Sequence, residues 1–102
     1  KVALKNVQEK TFITNLQTDV DKLWKARLGS IPAEYVLPKN VDSVCFDNEE
    51  GDNLELTKDQ GYTSYEIEHI EIKQRFCVDK VEGKVKIILK KEFGDNLVTI
   101  TE

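Results

Sequence analysis

The chain has 102 residues, of which 39% are hydrophobic and 33% charged, with two prolines and five glycines. At roughly 100 to 200 residues per domain this reads as one folded domain, 1–102, and excludes a multidomain enzyme, a disordered tail or a collagen-like repeat. Fifteen basic against nineteen acidic residues leave a net charge of −4, the wrong sign for affinity built on the release of phosphate counterions, so nucleic acid is not an expected partner.

The N-terminal third carries a helix period. Ile13, Leu16, Val20, Leu23 and Trp24 recur at spacings of three, four, three and one, with the stem of Arg27 closing the stripe. Asn6 with Glu9, or Thr14 with Gln17, can form a capping box, Gly29 suits a left-handed position after the last turn, and Pro32 blocks continuation. The expectation is one helix over roughly residues 9 to 28, preceded by a short edge strand at Val2 and Leu4. Residues 30 to 40, with Pro32 and Pro38, read as an ordered connection.

From Val41 the period falls to two: Val44 and Phe46; Leu54 and Leu56; a long run from Tyr62 to Val78; Val85, Ile87 and Leu89; Leu97, Val98 and Ile100. Turn chemistry at Gly51-Asp52-Asn53, Asp59-Gln60-Gly61, Glu82-Gly83 and Gly94-Asp95-Asn96 separates the runs. Within the long run, Tyr65 and Ile67 share one parity whereas Ile70, Ile72, Phe76 and Val78 share the other, so a bulge near Glu68 and His69 is expected. The sum is an α+β domain: one N-terminal helix packed on a curved five-stranded antiparallel meander.

The succession Gly51-Asp52-Asn53-Leu54-Glu55-Leu56, Glu66 to Phe76, Gly83 to Leu89 and Asp95 to Ile100 resembles the middle strands of the fatty-acid-binding (intracellular lipid-binding) family over residues 40–102. The resemblance implies strands joined by glycine turns. The aromatic signature of that family's first strand and its closing strands are missing, so a ten-stranded barrel is excluded and no binding residue carries over.

The scarce reactive residues give no catalytic set. His69 and Cys77 lie eight positions apart on one expected strand, about 26 Å if straight. Cys45 has no accompanying elbow of Ser, Asn or Asp. His69, between Glu68 and Glu71, reads as a surface side chain with raised proton affinity. Two cysteines and one histidine without Cys-x-x-Cys spacing fall short of zinc, and the acidic turn from Asp47 has its glycine at the fifth position rather than the sixth that calcium loops use. Phosphate-cradling glycine motifs are absent, so no cofactor or metal is expected. Val44 and Phe46 flank Cys45 as Phe76 and Val78 flank Cys77, which turns both thiols to one outer face and allows a disulfide if their strands adjoin.

Charge is segregated along the chain. Residues 47–71 carry nine acids, among them Glu49, Glu50 and Asp52, against Lys58, whereas residues 72–91 carry seven bases, among them Lys84 and Lys86, against Asp79 and Glu82. Such polarisation orients a charged partner. The expected function is therefore that of a non-enzymatic protein-interaction module, an inhibitor, immunity, effector or assembly domain, with Glu49, Glu50, Asp52, Lys84 and Lys86 as partner-binding residues. The alternative is a carrier whose small apolar ligand lies between helix and sheet, lined by Trp24, Tyr65, Ile67, Phe76 and Ile87. No run of about 18 apolar residues predicts a membrane span. A chain that opens on Lys1 and has no Met reads as a mature or excised product, which favours a secreted or processed domain over a cytoplasmic one.

Overall fold

The computed structural model describes residues 2–26, 29–48, 51–59 and 61–102, with side chains from Glu9 onward. Its elements are α1 (Val2–Lys25), β1 (Gly29–Val36), β2 (Val41–Phe46), β3 (Leu54–Lys58), β4 (Gly61–Tyr65), β5 (Ile70–Glu71), β6 (Phe76–Asp79), β7 (Lys84–Lys91) and β8 (Val98–Thr101).

The helix begins earlier than its period predicts: Val2 and Leu4 belong to its first turns rather than to an edge strand. Its buried stripe is Glu9, Phe12, Leu16, Val20 and Leu23: Leu16, Val20 and Leu23 are where the period places them, whereas Phe12 takes the place of Ile13, and Ile13 and Trp24 are only partly buried. Burying each of these apolar side chains contributes about 1.5–3 kcal/mol, more than any single polar tether on the helix, so packing docks α1 and hydrogen bonds orient it. At the C-terminal end Lys91 of β7 donates from Nζ to the carbonyls of Trp24 and Ala26, placing a cation where the helix leaves unpaired carbonyls. Arg27 lies outside the described residues.

The strands form two four-stranded sheets and not the five-stranded meander that turn spacing implies. The first has the order β1-β7-β8-β5, the second β4-β3-β2-β6. Three departures produce the difference. Residues 29–36, expected to open a connection, form strand β1, antiparallel to β7 along its whole length from the Gly29/Lys91 to the Val36/Lys84 pair. The long run from Tyr62 does not bulge but breaks twice, giving β4, β5 and β6; the first break, over residues 66–69, ends at His69, whose φ of 69° is left-handed, and the second spans residues 72–75. Finally, β5 pairs with β8 in parallel, which no meander contains.

Local chemistry accounts for these features. Gly29 opens β1 instead of capping the helix, and an added Cβ there would sit 3.0 Å from Leu23 Cδ1, so a side chain at this position would press on the Leu23 methyl group. Glu82 and Gly83 both have positive φ, 53° and 80°, a two-residue turn closed by the Val81/Lys84 bridge that carries the chain from β6 in the second sheet to β7 in the first. Asn53 acts as a substitute strand for the broken run: its side chain accepts from Ile67 N at 2.8 Å and donates to Ile67 O at 3.0 Å. α1 packs on β7, β1 and β8, and the apolar faces of the two sheets join that packing in one core, with Val85, Ile87 and Leu89 of β7 beside Val44, Phe46, Leu54 and Leu56.

Candidate functional site

β1 is an edge strand, and its free edge borders an open groove of about 960 Å³. The groove runs between α1, at Phe12 and Asn15, and the chain from Glu34 to Asn40. Its floor is apolar: Phe12 and Tyr35 meet edge to face at 5.4 Å, and Leu37 lies beside them. Tyr35 donates its hydroxyl hydrogen to Asp19 Oδ2 at 2.7 Å. Burial, reinforced by that carboxylate, raises the Tyr35 pKa far above the ordinary phenol range, so the hydroxyl stays a donor that fixes the ring.

Strand parity decides which backbone groups face the groove. Leu37 N donates to Gly83 O at 2.9 Å, on the β7 side. Backbone groups alternate between the two sides of a strand, so those of Ser30, Pro32, Glu34 and Val36 lie on the free edge. Pro32 has no N–H, and its position on the open side is where proline is tolerated in a sheet. The N–H groups of Glu34 and Val36 therefore lie at the free edge beside the groove. The same parity points the side chains of Glu34 and Val36 outward and Tyr35 inward.

The charged candidates divide between the two sheets. Lys84 and Lys86 are exposed on the outer face of the first sheet, each 3.6 Å from a carboxylate oxygen of Glu34. Lys39 lines the groove that Glu34 also lines. Asp52 lies on the second sheet, at a smaller recess of about 230 Å³ with Asp47, Glu55, Tyr62 and Arg75. Arg75 is 3.3 Å from Asp47 and 3.9 Å from Glu55. Glu49 and Glu50 lie outside the described residues. Asp42 and Asp59 form a further close pair: the hydrogen bond and repulsion from Asp59 raise the Asp42 pKa.

The five side chains expected around an apolar ligand have separate surroundings. Ile67 and Ile87 are core, Phe76 packs against Phe46 at 5.2 Å between ring centres, and Tyr65 donates to Glu9 Oε1 at 3.0 Å. Trp24 lies at the far end of α1, its Nε1 donating to Asn96 O at 2.9 Å. None of the five lines the groove or the recess.

Residues 65–69 instead form a polar seam along α1. Glu9, 1% exposed, takes Lys58 Nζ at 2.7 Å as well as Tyr65. Gln17 accepts from Glu68 N at 2.8 Å and donates to Glu68 O at 3.0 Å. His69 stacks on Trp24 at 3.7 Å, and its Nδ1 lies 3.0 Å from Asp21 Oδ1. That hydrogen bond is the main cause holding the Asp21 carboxyl below its usual range, with Gln17 and Lys25 assisting against partial burial. The ionised acceptor fixes the His69 proton on Nδ1. Cys45 and Cys77 are joined as a disulfide, so neither offers His69 a thiol.

No protein-family model, no curated protein and no solved structure matches this chain.

Proposed function

We propose that this domain is a non-enzymatic protein-interaction module that binds an extended, acidic segment of a partner protein along β1. The observation that carries this reading is the groove between α1 and the free edge of β1. An extended segment laid there gains main-chain hydrogen bonds from Glu34 and Val36, and its alternate side chains descend onto Phe12, Tyr35 and Leu37, the strand-addition mode of peptide recognition. The excess of Lys39, Lys84 and Lys86 over Glu34 selects an acidic partner and speeds its approach. This narrows the charge-polarised surface expected from sequence to its basic half.

Peptides selected from a random display library provide the test, followed by amide-resolved titration. Acidic peptides that shift the amides of Glu34 and Val36 are expected, and Lys84→Glu with Lys86→Glu should slow association about tenfold at low salt. Selected peptides that shift the outer face of the second sheet, or whose rates ignore both reversals, would overturn the reading.

A further inference from the structure

The disulfide is exposed unequally. Cys45 and Cys77 are paired directly across β2 and β6 with Cα atoms 4.0 Å apart. Both side chains leave the second sheet on its outer face, because the neighbouring Val44/Val78 and Phe46/Phe76 pairs point into the core. Cys45 is only 6% exposed, on a strand paired on both sides, with Thr57 Oγ1 4.0 Å from its sulfur. Cys77 is exposed and belongs to β6, the edge strand of that sheet. A thiolate must attack a disulfide sulfur along the line of the S–S bond. For Cys77 that line comes from the outer, edge side of the sheet; for Cys45 it comes across β3.

The surroundings are acidic. Glu55 is the cross-strand neighbour of Cys45 on β3, Asp79 follows Cys77 two residues on along the same face, and Asp47 and Asp52 line the recess that Cys45 also lines. Arg75, held by Asp47 and Glu55, offsets part of this charge. An anionic thiol is repelled from the face and a cationic one is drawn to it.

We propose that the Cys45–Cys77 bridge is a thiol–disulfide exchange site, opened at Cys77 by a dithiol reductant that presents positive charge. The reductant's thiolate forms a bond to Cys77 Sγ, and the S–S electron pair leaves on Cys45 Sγ, where the Thr57 hydroxyl can donate a hydrogen bond and solvent then supplies a proton. The reductant's second thiol attacks its own sulfur in the mixed disulfide and releases Cys77 as thiolate. Two electrons pass: the protein becomes a dithiol and the reductant a disulfide.

Cysteamine, a cationic thiol, and glutathione, an anionic one, serve as probes on the folded protein, each rate divided by that thiol's rate on a small neutral disulfide. After acid quenching and alkylation, peptide mapping is expected to find the adduct on Cys77 and the alkyl group on Cys45. The normalised rate should favour cysteamine about tenfold at low salt and level out near 1 M salt. Glu55→Gln with Asp79→Asn should level it as well. Adducts on Cys45, equal normalised rates at low salt, or exchange no faster than the opening of β2 amides to deuterium would each overturn the proposal.

Discussion

Among the described residues Glu9 is the one acidic side chain that is buried, at 1% exposure, and the helix presents it to Lys58 and Tyr65 across the gap to β3 and β4. Removing one partner of a buried ion pair costs more than the pair itself contributes, because the remaining charge stays desolvated. Lys58→Met is therefore expected to destabilise by about 3 kcal/mol and Glu9→Gln by about 1–2 kcal/mol. The double variant should lose less than the sum by at least ~1 kcal/mol, as read from urea unfolding; strict additivity would mean that the two groups do not interact. Tyr65 adds a dependence on pH. Burial, and then its hydrogen bond to Glu9, push its pKa from 10.0 up to about 12. The folded state holds this proton more tightly than the unfolded chain, so the contribution is complete below pH 10 and is lost as pH rises to about 12. Tyr65→Phe should remove that part of the alkaline loss, which unfolding midpoints measured from pH 9 to 12 would show.

Among the elements, β1 shows best where sequence reading succeeded and where it failed. Its two-residue alternation, Ala33 and Tyr35 inward against Pro32, Glu34 and Val36 outward, was present in the sequence, but Pro32 within it and Pro38 just beyond it argue against a strand unless it is known to lie at an edge. The groove was hidden with it, since a connection has no free edge to border. Strands β3 and β7 were legible because one face of each is buried and the period is clean; β2 and β8 were legible from their apolar runs bounded by turns, although consecutive residues of each are buried. The disulfide was legible for the same reason, since flanking apolar pairs fix where each thiol points. The break at His69 was not legible: beside it the backbone of Ile67 pairs with the Asn53 side chain, fourteen residues away, a partner that no periodicity announces. Pro32 also has a protective role, because a missing donor at an edge hinders pairing with another edge. Pro32→Val restores that donor and adds a β-branched residue, and sedimentation should show increased self-association relative to the parent. An unchanged distribution of species would mean that Pro32 does not guard the edge.

At the scale of the whole molecule, the bridge closes a loop with a sequence separation of 32 that contains β3, β4 and β5. Closing such a loop stabilises the fold by about 3–4 kcal/mol on the chain-entropy estimate. The double variant Cys45→Ser with Cys77→Ser should lose that amount in urea unfolding while keeping the β-sheet signature in circular dichroism. A loss under about 1 kcal/mol would place the constraint in native packing instead. The order of the first sheet has a further consequence for synthesis. Residues 98–101 lie inside that sheet, between β7 and β5, and α1 packs on β7, β1 and β8. A nascent chain emerging from the ribosome can assemble the second sheet once residue 79 is free, but its helix must wait, with Phe12, Leu16, Val20 and Leu23 uncovered, until the chain has grown through β8 at Thr101. At about 5–20 residues per second that is an interval of about one to a few seconds, and it marks this helix as the segment of the newborn protein that a chaperone would grip.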